Sequence, residues 1–225
     1  MYFQSNLLRD IPNIAHGFGS KFDPVPTPLL KTWVDLRPTW TQTHGTEVAN
    51  VIRRNQVCGD VDALMTKTKN PIGNMTADCV PILLARKDGG MVAAVHAGWR
   101  GTKGRILEKL SIALQAQGQD MKDWVAALGP SIAKCCYEVS EELIEDFVKT
   151  FPDIEPDLIT PTHRKLDLAA INGHELHRLG FGAIDFILEC TYCSIDEKKG
   201  PKFHSFRREG GGTRQWSVIA RKTDT

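Results

Sequence analysis

The chain has 225 residues, of which 41% are apolar and 24% charged, so it can bury a substantial core in one large or two small domains, and we expect one. Its 28 basic and 27 acidic residues are interspersed, which argues against a nucleic-acid or anionic-membrane surface. No apolar run approaches the roughly 20 residues of a bilayer span, and no signal-peptide pattern opens the chain. The sequence therefore predicts a cytoplasmic protein with a small ligand and no evident protein partner.

The first five residues match the remnant of a cut affinity-tag linker, so we expect the natural domain to cover residues 6–225. The six cysteines lack the density and spacing of a small secreted disulfide scaffold, which favours reduced thiols. Cys190 and Cys193 have the spacing of a redox pair. Because they stand outside a thioredoxin-like pattern, a structural strand end is the better interpretation.

The first half of the chain alternates between loop and strand patterns. Residues 18–31 contain three prolines and are predicted to form an irregular loop. Short apolar runs typical of buried strands follow at 61–65, 79–85 and 91–96. Residues 106–116 carry apolar side chains at helical spacing and are followed by Gly118, which predicts a helix.

The second half begins with a buried strand predicted at 124–128. Ser140 precedes two glutamates and is a good helix start, because its hydroxyl can cap free amides and the acids face the positive end of the helix dipole. This helix should run to about residue 151. A third helix at 166–179 and a strand at 184–188 complete the pattern, and nothing marks a domain linker.

Three metal-binding side chains stand beside a glycine, an acid or a strand end: His44, Cys79 and His96. Taken singly, each is more typical of a satisfied imidazole or a small buried thiol, and the spacing matches no zinc-finger pattern. The joint pattern carries more weight, because Asp78 adjoins the thiol and Arg100 follows the second imidazole. Two imidazoles and one thiolate leave the fourth position of a tetrahedral ion free, which is typical of a catalytic site.

Seven short motifs include His-Ala-Gly-Trp-Arg-Gly at 96–101 and Phe-Arg-Arg-Glu-Gly at 206–210. The other five lie at 42–45, 62–64, 76–79, 129–132 and 136–139. Together and in this order they resemble the laccase-domain family, also called the YfiH-like or polyphenol oxidase family. The likeness runs from about residue 11 to the C-terminus, with departures at 133–134 and 211–214.

This resemblance implies a single α+β domain of two packed mixed β-sheets flanked by helices, in α-β-β-α layers. It also implies a zinc ion on His44, Cys79 and His96. The implied activity is phosphorolysis of purine nucleosides (adenosine, inosine, guanosine or methylthioadenosine) with adenosine deamination at the same site. Other labels in the family name a copper-dependent polyphenol oxidase or an editing enzyme of peptidoglycan precursors.

The number and spacing of the histidines help to decide whether a multicopper centre is expected. A multicopper centre needs several histidine pairs, but the chain has only seven histidines and no His-x-His pair. A multicopper cluster is therefore not expected. A single Cu²⁺ stays open as an alternative to Zn²⁺, because two imidazoles and a thiolate suit both ions.

The two implied reactions, deamination and phosphorolysis, need different residues. For deamination, Asp78 is the nearest carboxylate that can shuttle protons, although the usual His-x-Glu and Pro-Cys-x-x-Cys signature of base deaminases is absent. For phosphorolysis, Arg100, Arg207 or Arg208 can hold phosphate through the planar guanidinium, helped by Ser205 and the glycines at 210–212. For Arg208, a solvated pair with its neighbour Glu209 is an equal alternative.

The expected catalytic residues are therefore Asp78, Cys79 and Arg100. The expected substrate-binding residues are Gln42, Asp62, Ser205 and Arg207. Two other classes of function stay open. One is an amidase or oxidase of cell-wall precursors with Cys79 as nucleophile, and the other is a zinc protein without catalysis.

Overall fold

The computed structural model describes residues 1–222. The first half of the chain is mainly β-structure. Its elements are α1 (Asn6–Arg9), β1 (Ile14–Phe18), α2 (Leu30–Leu36), β2 (Thr39–Thr41), β3 (Val48–Asn50), β4 (Val57–Asp60), β5 (Ala63–Thr66), β6 (Ile72–Thr76), β7 (Val80–Arg86), β8 (Val92–Ala97), α3 (Trp99–Lys103) and α4 (Ile106–Gln115).

The second half contains most of the longer helices. Its elements are β9 (Trp124–Leu128), α5 (Glu141–Thr150), α6 (Pro156–Ile159), α7 (Leu168–Arg178), β10 (Ala183–Phe186), β11 (Ile195–Asp196), β12 (Gly200–Pro201), α8 (Phe206–Glu209) and β13 (Gln215–Arg221). None of the helices within residues 1–222 is long and apolar enough to cross a membrane.

Two sheets form the centre of the domain. The larger has six strands in the order β10-β9-β7-β8-β5-β3 and is mixed, because β10 runs parallel to β9 and β3 parallel to β5, whereas the central pairs are antiparallel. The smaller has three strands in the order β1-β13-β6 and is antiparallel throughout. Two further two-stranded pairs, β2-β4 and β11-β12, lie at the periphery.

Side chains of β7 alternate between two buried faces. Ile82 and Leu84 pack with the helices α4, α5 and α7, whereas Leu83 and Ala85 pack with residues of β1, β6 and β13. Both faces of the strand are apolar because successive side chains of a strand point to opposite sides of a sheet. The larger sheet therefore has helices on one side and the smaller sheet on the other.

The outer face of the smaller sheet is covered by α2. Trp33 of this helix is almost fully buried and packs with Val218 and Ala220 of β13. The resulting layers run helix, sheet, sheet, helix. This arrangement confirms the prediction of a single α+β domain with packed sheets flanked by helices.

The predicted strands at 61–65, 79–85, 91–96 and 124–128 and the predicted helices at 106–116 and from Ser140 are present with shifts of a few residues. Ser140 caps α5 by accepting the Leu143 N–H. The helix predicted at 166–179 is α7, and the strand predicted at 184–188 begins one residue earlier. The loop predicted at 18–31 ends sooner than expected, because a 3-10 turn at Thr27–Leu29 leads directly into α2.

Residues 1–5 pack against the domain. Phe3 exchanges main-chain hydrogen bonds with Phe18, and the Ser5 hydroxyl caps α1 and donates to Asp185 at 2.6 Å. These residues therefore contact the rest of the chain, and the domain boundary at residue 6 stays a prediction. Their origin as a tag remnant stays a prediction.

His16 of β1 is buried, and its Nε2 accepts the Ser5 main-chain N–H at 2.9 Å. Burial is the largest cause that lowers the pKa of His16, from 6.5 to about 4. Because the folded pKa lies below the unfolded one, the stability contributed by the neutral ring is present above pH 6.5 and is lost as the pH falls toward 4. The corresponding free energy is at most on the order of 3 kcal/mol.

Glutamine keeps a hydrogen-bond acceptor but does not titrate between about pH 4 and about pH 7. We therefore predict that the unfolding free energy of His16→Gln falls less than that of the wild type when the pH is lowered from about 7 to about 4.5. Urea unfolding at the two pH values measures this loss. His163→Gln is the matched control, because the side chain of His163 is 79% exposed. An unchanged pH dependence in His16→Gln would contradict the assignment.

Candidate active site

The three predicted metal ligands lie together although they come from separate segments. His44 follows β2, Cys79 lies in the turn between β6 and β7, and His96 lies near the end of β8. One ligand atom from each residue lies within 4.8 Å of the other two. The His44 and His96 rings meet edge to face with centroids 4.8 Å apart. The folded chain thus brings one thiol and two imidazoles to a single point.

A buried carboxylate, Asp62, holds both imidazole segments. Its Oδ1 lies 2.7 Å from Nδ1 of His96 and accepts the His44 main-chain N–H at 3.0 Å. Its Oδ2 accepts the N–H groups of Thr43 and Gly45 and the Thr43 hydroxyl. Because Asp62 occupies Nδ1 of His96, Nε2 is the ring atom left for a metal.

Hydrogen bonds among Asp62, Cys79 and the two imidazoles shift the pKa values of these groups. Burial raises the pKa of Asp62, but hydrogen bonds from His96 and from main-chain amides outweigh it and hold that pKa below its ordinary value. Burial also raises the pKa of Cys79, yet the two imidazoles lower it overall, to about 6. Burial lowers the pKa of His96, whereas Asp62 and Cys79 raise it overall, to about 9. These shifts favour the thiolate form of Cys79, which is the form of the side chain that binds metal.

The backbone is specialised around the three ligands. His44 and Asp78, which precedes Cys79, have φ values of 61° and 96°, a region that non-glycine residues rarely adopt. Gly98 leaves the necessary space, because a Cβ there would lie 3.0 Å from both Cys79 Sγ and His44 Cδ2. Local strain of this kind is found at sites where the surrounding structure enforces it.

The donor set fits a divalent metal ion. A thiolate and two imidazoles are ligands that both Zn²⁺ and Cu²⁺ accept, and a carboxylate behind one imidazole is a usual support for such ligands. Three protein ligands leave a coordination position for another molecule. His44, Cys79 and His96 therefore form a candidate metal site of the open kind.

A cavity of about 530 Å³ opens beside the three ligands, which line it. Its wall carries three arginines, each over an aromatic ring that also lines the cavity. Arg100 lies 4.2 Å from the ring centre of Trp99, Arg207 lies 5.2 Å from Tyr137, and Arg214 lies 5.8 Å from Phe206. The cavity thus combines a candidate metal site, positive charge and aromatic surface.

Asp78 lies on the cavity wall with both carboxylate oxygens engaged. Oδ1 accepts the Thr191 hydroxyl at 2.6 Å, and Oδ2 accepts the Ser205 hydroxyl at 3.0 Å and the Arg207 main-chain N–H at 2.7 Å. Asp78 therefore joins the turn before β7 to two distant segments. One of them begins α8 and carries Arg207.

The other predicted substrate residues differ in position. Gln42 lines the cavity, but its side-chain amide is paired with the main chain of Met75 at 2.7 and 2.8 Å. Asp62 and Ser205 are buried, do not line the cavity and bond to protein groups, and their role in substrate binding stays a prediction. Arg100 and Arg207 line the cavity as the prediction requires.

Arg208 lies outside the cavity wall. Its guanidinium donates to the carbonyls of Thr191, Tyr192 and Phe203 and pairs with Glu209 at 3.0 Å. It therefore holds the segment that follows Cys190 in place. Of the two interpretations open from the sequence, the pair with Glu209 is the one present, although Arg208 is only partly exposed.

Sequence reasoning did not select Tyr137, Phe206 or Arg214, which line the cavity. Tyr137 and Phe206 stand inside motifs that carried the family resemblance, so that resemblance was the available signal. Arg214 stands in the segment that departs from the family pattern, and nothing in its local sequence indicated a cavity.

Solved structures with the same fold include the hypothetical protein YfiH of Bacillus licheniformis, with a TM-score of 0.79 and 25% identity over 93% of each chain. YlmD from Geobacillus stearothermophilus matches in fold with a TM-score of 0.79 and 24% identity, over 97% of this chain and 94% of that one.

The sequence also resembles relatives whose names state an activity. An adenosine deaminase from an unknown prokaryotic organism is 37% identical over 195 residues, which cover 80% of this chain and 73% of the relative. A purine nucleoside phosphorylase of Haemophilus influenzae is 35% identical over 184 residues, which cover 80% of this chain and 72% of the relative.

Fold and site together define an α+β domain with an open candidate metal site beside a cavity. Residues 30–222 match the family described as multi-copper polyphenol oxidoreductase laccase. The chain belongs to this family, and the resemblance seen in the sequence motifs is confirmed.

We predict that Asp62→Asn weakens metal binding by about 10- to 100-fold, because it removes the negative charge behind His96 and disturbs the loop that carries His44. Competition with a chromophoric chelator measures the affinity. Asp60→Asn is the matched control, since Asp60 is exposed and lies two residues away. Equal affinities of Asp62→Asn and wild type would show that Asp62 does not support the site.

Proposed function

We propose that this protein is a zinc-dependent purine nucleoside phosphorylase that also deaminates adenosine. Relatives bearing these two activity names support the proposal, at 35% and 37% identity. We also propose a cytoplasmic location, because six cysteines without the density and spacing of a disulfide scaffold are typical of a reducing compartment.

One observation carries the proposal: the three-ligand site opens into a cavity whose wall holds three arginines stacked on aromatic rings. Its volume of about 530 Å³ is typical of a small-molecule site. Positive charge suits phosphate, and aromatic faces suit a purine. A zinc protein without catalysis needs neither feature.

Arg100 and Arg207 are the residues proposed to hold phosphate. Within residues 1–222, the Arg100 guanidinium stacks on Trp99 without a hydrogen-bond partner, so its N–H groups are available to an anion. Arg207 donates to the Glu138 carbonyl from one nitrogen and keeps the rest of its planar fork for phosphate oxygens. Arg214 adds a third positive charge on the same wall.

Tyr137 and Phe206 are proposed to contact the nucleoside. Burial is the largest cause that raises the pKa of Tyr137 to about 12, so its phenol stays protonated at neutral pH and can donate a hydrogen bond. Phe206 is 53% exposed and lies on the cavity wall, where its ring can stack on a planar base.

In phosphorolysis, a phosphate oxygen forms a bond to the sugar C1′ while the bond from C1′ to the purine nitrogen breaks, and the purine keeps that electron pair. The chain contributes by holding phosphate and nucleoside in line and by placing positive charge near the phosphate. A bound zinc ion would supply Lewis acidity beside the nucleoside.

The proposed role of Asp78 is to position the cavity wall. Three donors already surround its carboxylate, so taking a proton from substrate would require it to give up one of them. For deamination we therefore propose that Asp78 orders Arg207 and Ser205 rather than moving the proton itself.

We predict that Cys79→Ala loses metal binding and turnover of purine nucleosides but stays folded, because the small thiol contributes mainly a ligand. Metal analysis, circular dichroism and product assays of nucleosides with and without phosphate measure the three properties. Cys58→Ala is the matched control, since Cys58 lies in β4, away from the ligand set. Full activity in Cys79→Ala would exclude the proposed site.

The same assay separates the candidate reactions. Free base that appears only with phosphate supports phosphorolysis, and ammonia release supports deamination. Absence of both products from a zinc-loaded protein would refute the proposed function. Oxidation of phenols that depends on Cu²⁺ would favour the alternative named in the family description.

We predict that Arg207→Ala raises the phosphate concentration for half-maximal rate about tenfold, because one charge-assisted contact contributes on the order of 1.5 kcal/mol. The main-chain N–H that binds Asp78 is retained in this variant. Arg53→Ala, at an exposed position outside the cavity, is the matched control. An unchanged phosphate dependence would remove Arg207 from the phosphate site.

A further inference from the structure

Four cysteines meet at a second place in the fold. Cys135 and Cys136 follow the strand β9 segment, and Cys190 and Cys193 follow β10. Their sulfur atoms all lie within 4.8 Å of one another. These four residues, here called the tetrathiol cluster, share no member with the set of His44, Cys79 and His96.

The separation of the Cys135 and Cys193 sulfurs matches two ligands of one tetrahedral ion better than a covalent bond. Cys135 Sγ and Cys193 Sγ are 3.8 Å apart. Four sulfurs bound to zinc at about 2.3 Å lie about 3.8 Å from each other by tetrahedral geometry. A disulfide requires a separation of about 2.05 Å, and all four thiols are free.

One main-chain amide contacts the sulfur of Cys190. The Ala133 N–H donates to Cys190 Sγ at 3.5 Å. A donor of this kind orients a thiolate ligand and stabilises its negative charge. The contact therefore fits a ligand role for Cys190.

We propose that Cys135, Cys136, Cys190 and Cys193 form a second metal site, closed by four thiolates, for one borderline or soft divalent ion such as Zn²⁺. Four protein ligands leave no position for substrate, so its role is structural. This proposal does not depend on the nucleoside activity.

The position of the tetrathiol cluster shows which two segments a structural ion would connect. Cys135 and Cys136 are followed by Tyr137, whose ring lines the cavity. Cys190 is followed by Thr191, whose hydroxyl donates to Asp78. An ion at the tetrathiol cluster would join these two segments and so fix two parts of the cavity wall.

The test counts metal ions in the purified, zinc-loaded and desalted protein. We expect about two zinc ions per chain in wild type and about one in the Cys135→Ser, Cys193→Ser double variant. These two cysteines are exposed, so serine there should disturb packing little. Cys58→Ser is the matched control and should keep about two ions.

A second variant tests the proposed four-thiolate site even if the double variant does not fold. His44→Ala removes a ligand of the open site and should keep about one ion. Loaded with Co²⁺, this variant should show the intense thiolate-to-cobalt absorption of a four-sulfur site. The proposal would be overturned if the wild-type chain binds about one zinc ion and His44→Ala binds none. Disulfides among these cysteines, found by thiol titration of the chelated, denatured protein without reductant, would also overturn it.

Discussion

The candidate metal site depends on one buried carboxylate. Asp62 binds the His96 ring directly and holds His44 through main-chain amides of its loop, so a single side chain sets the distance between two ligands. Its charge is stabilised by the same groups that it positions, which keeps its pKa low despite burial. Cys79 is held in the turn between β6 and β7, and Gly98 leaves the space that its sulfur occupies.

A second carboxylate organises the cavity in the same way. Asp78 binds Thr191, Ser205 and the Arg207 amide, which belong to segments more than a hundred residues further along the chain. Its unusual φ of 96° turns the side chain toward these donors while Cys79 faces the imidazoles. Because Asp78 and Cys79 are neighbours, one turn connects the candidate metal site to the arginine-bearing wall. The Asp78 carboxylate and the unusual backbone conformation of this turn therefore help to position the residues of the site.

Sequence reasoning was most successful where one physical signal dominated. Apolar runs predicted the central strands, and Ser140 with its two glutamates predicted the start of α5. It missed β1 and β6, because glycines break their strand pattern, and Gly73 is required where a Cβ would lie 2.4 Å from the Ser217 carbonyl. Residue type and family motifs together indicated the three candidate metal ligands, and the structure brings them to one place. The motifs also indicated Asp62 and Ser205, but a motif does not reveal whether a polar side chain faces a cavity or, as these two do, bonds to other parts of the protein.

The three arginines on aromatic rings have a thermodynamic consequence. A free arginine side chain has many rotamers and loses about 2 kcal/mol of entropy when it is fixed. Stacking on Trp99, Tyr137 and Phe206 restricts these rotamers before any anion arrives. Binding of the proposed anion would then carry a smaller entropic penalty, because the three guanidinium groups are already ordered.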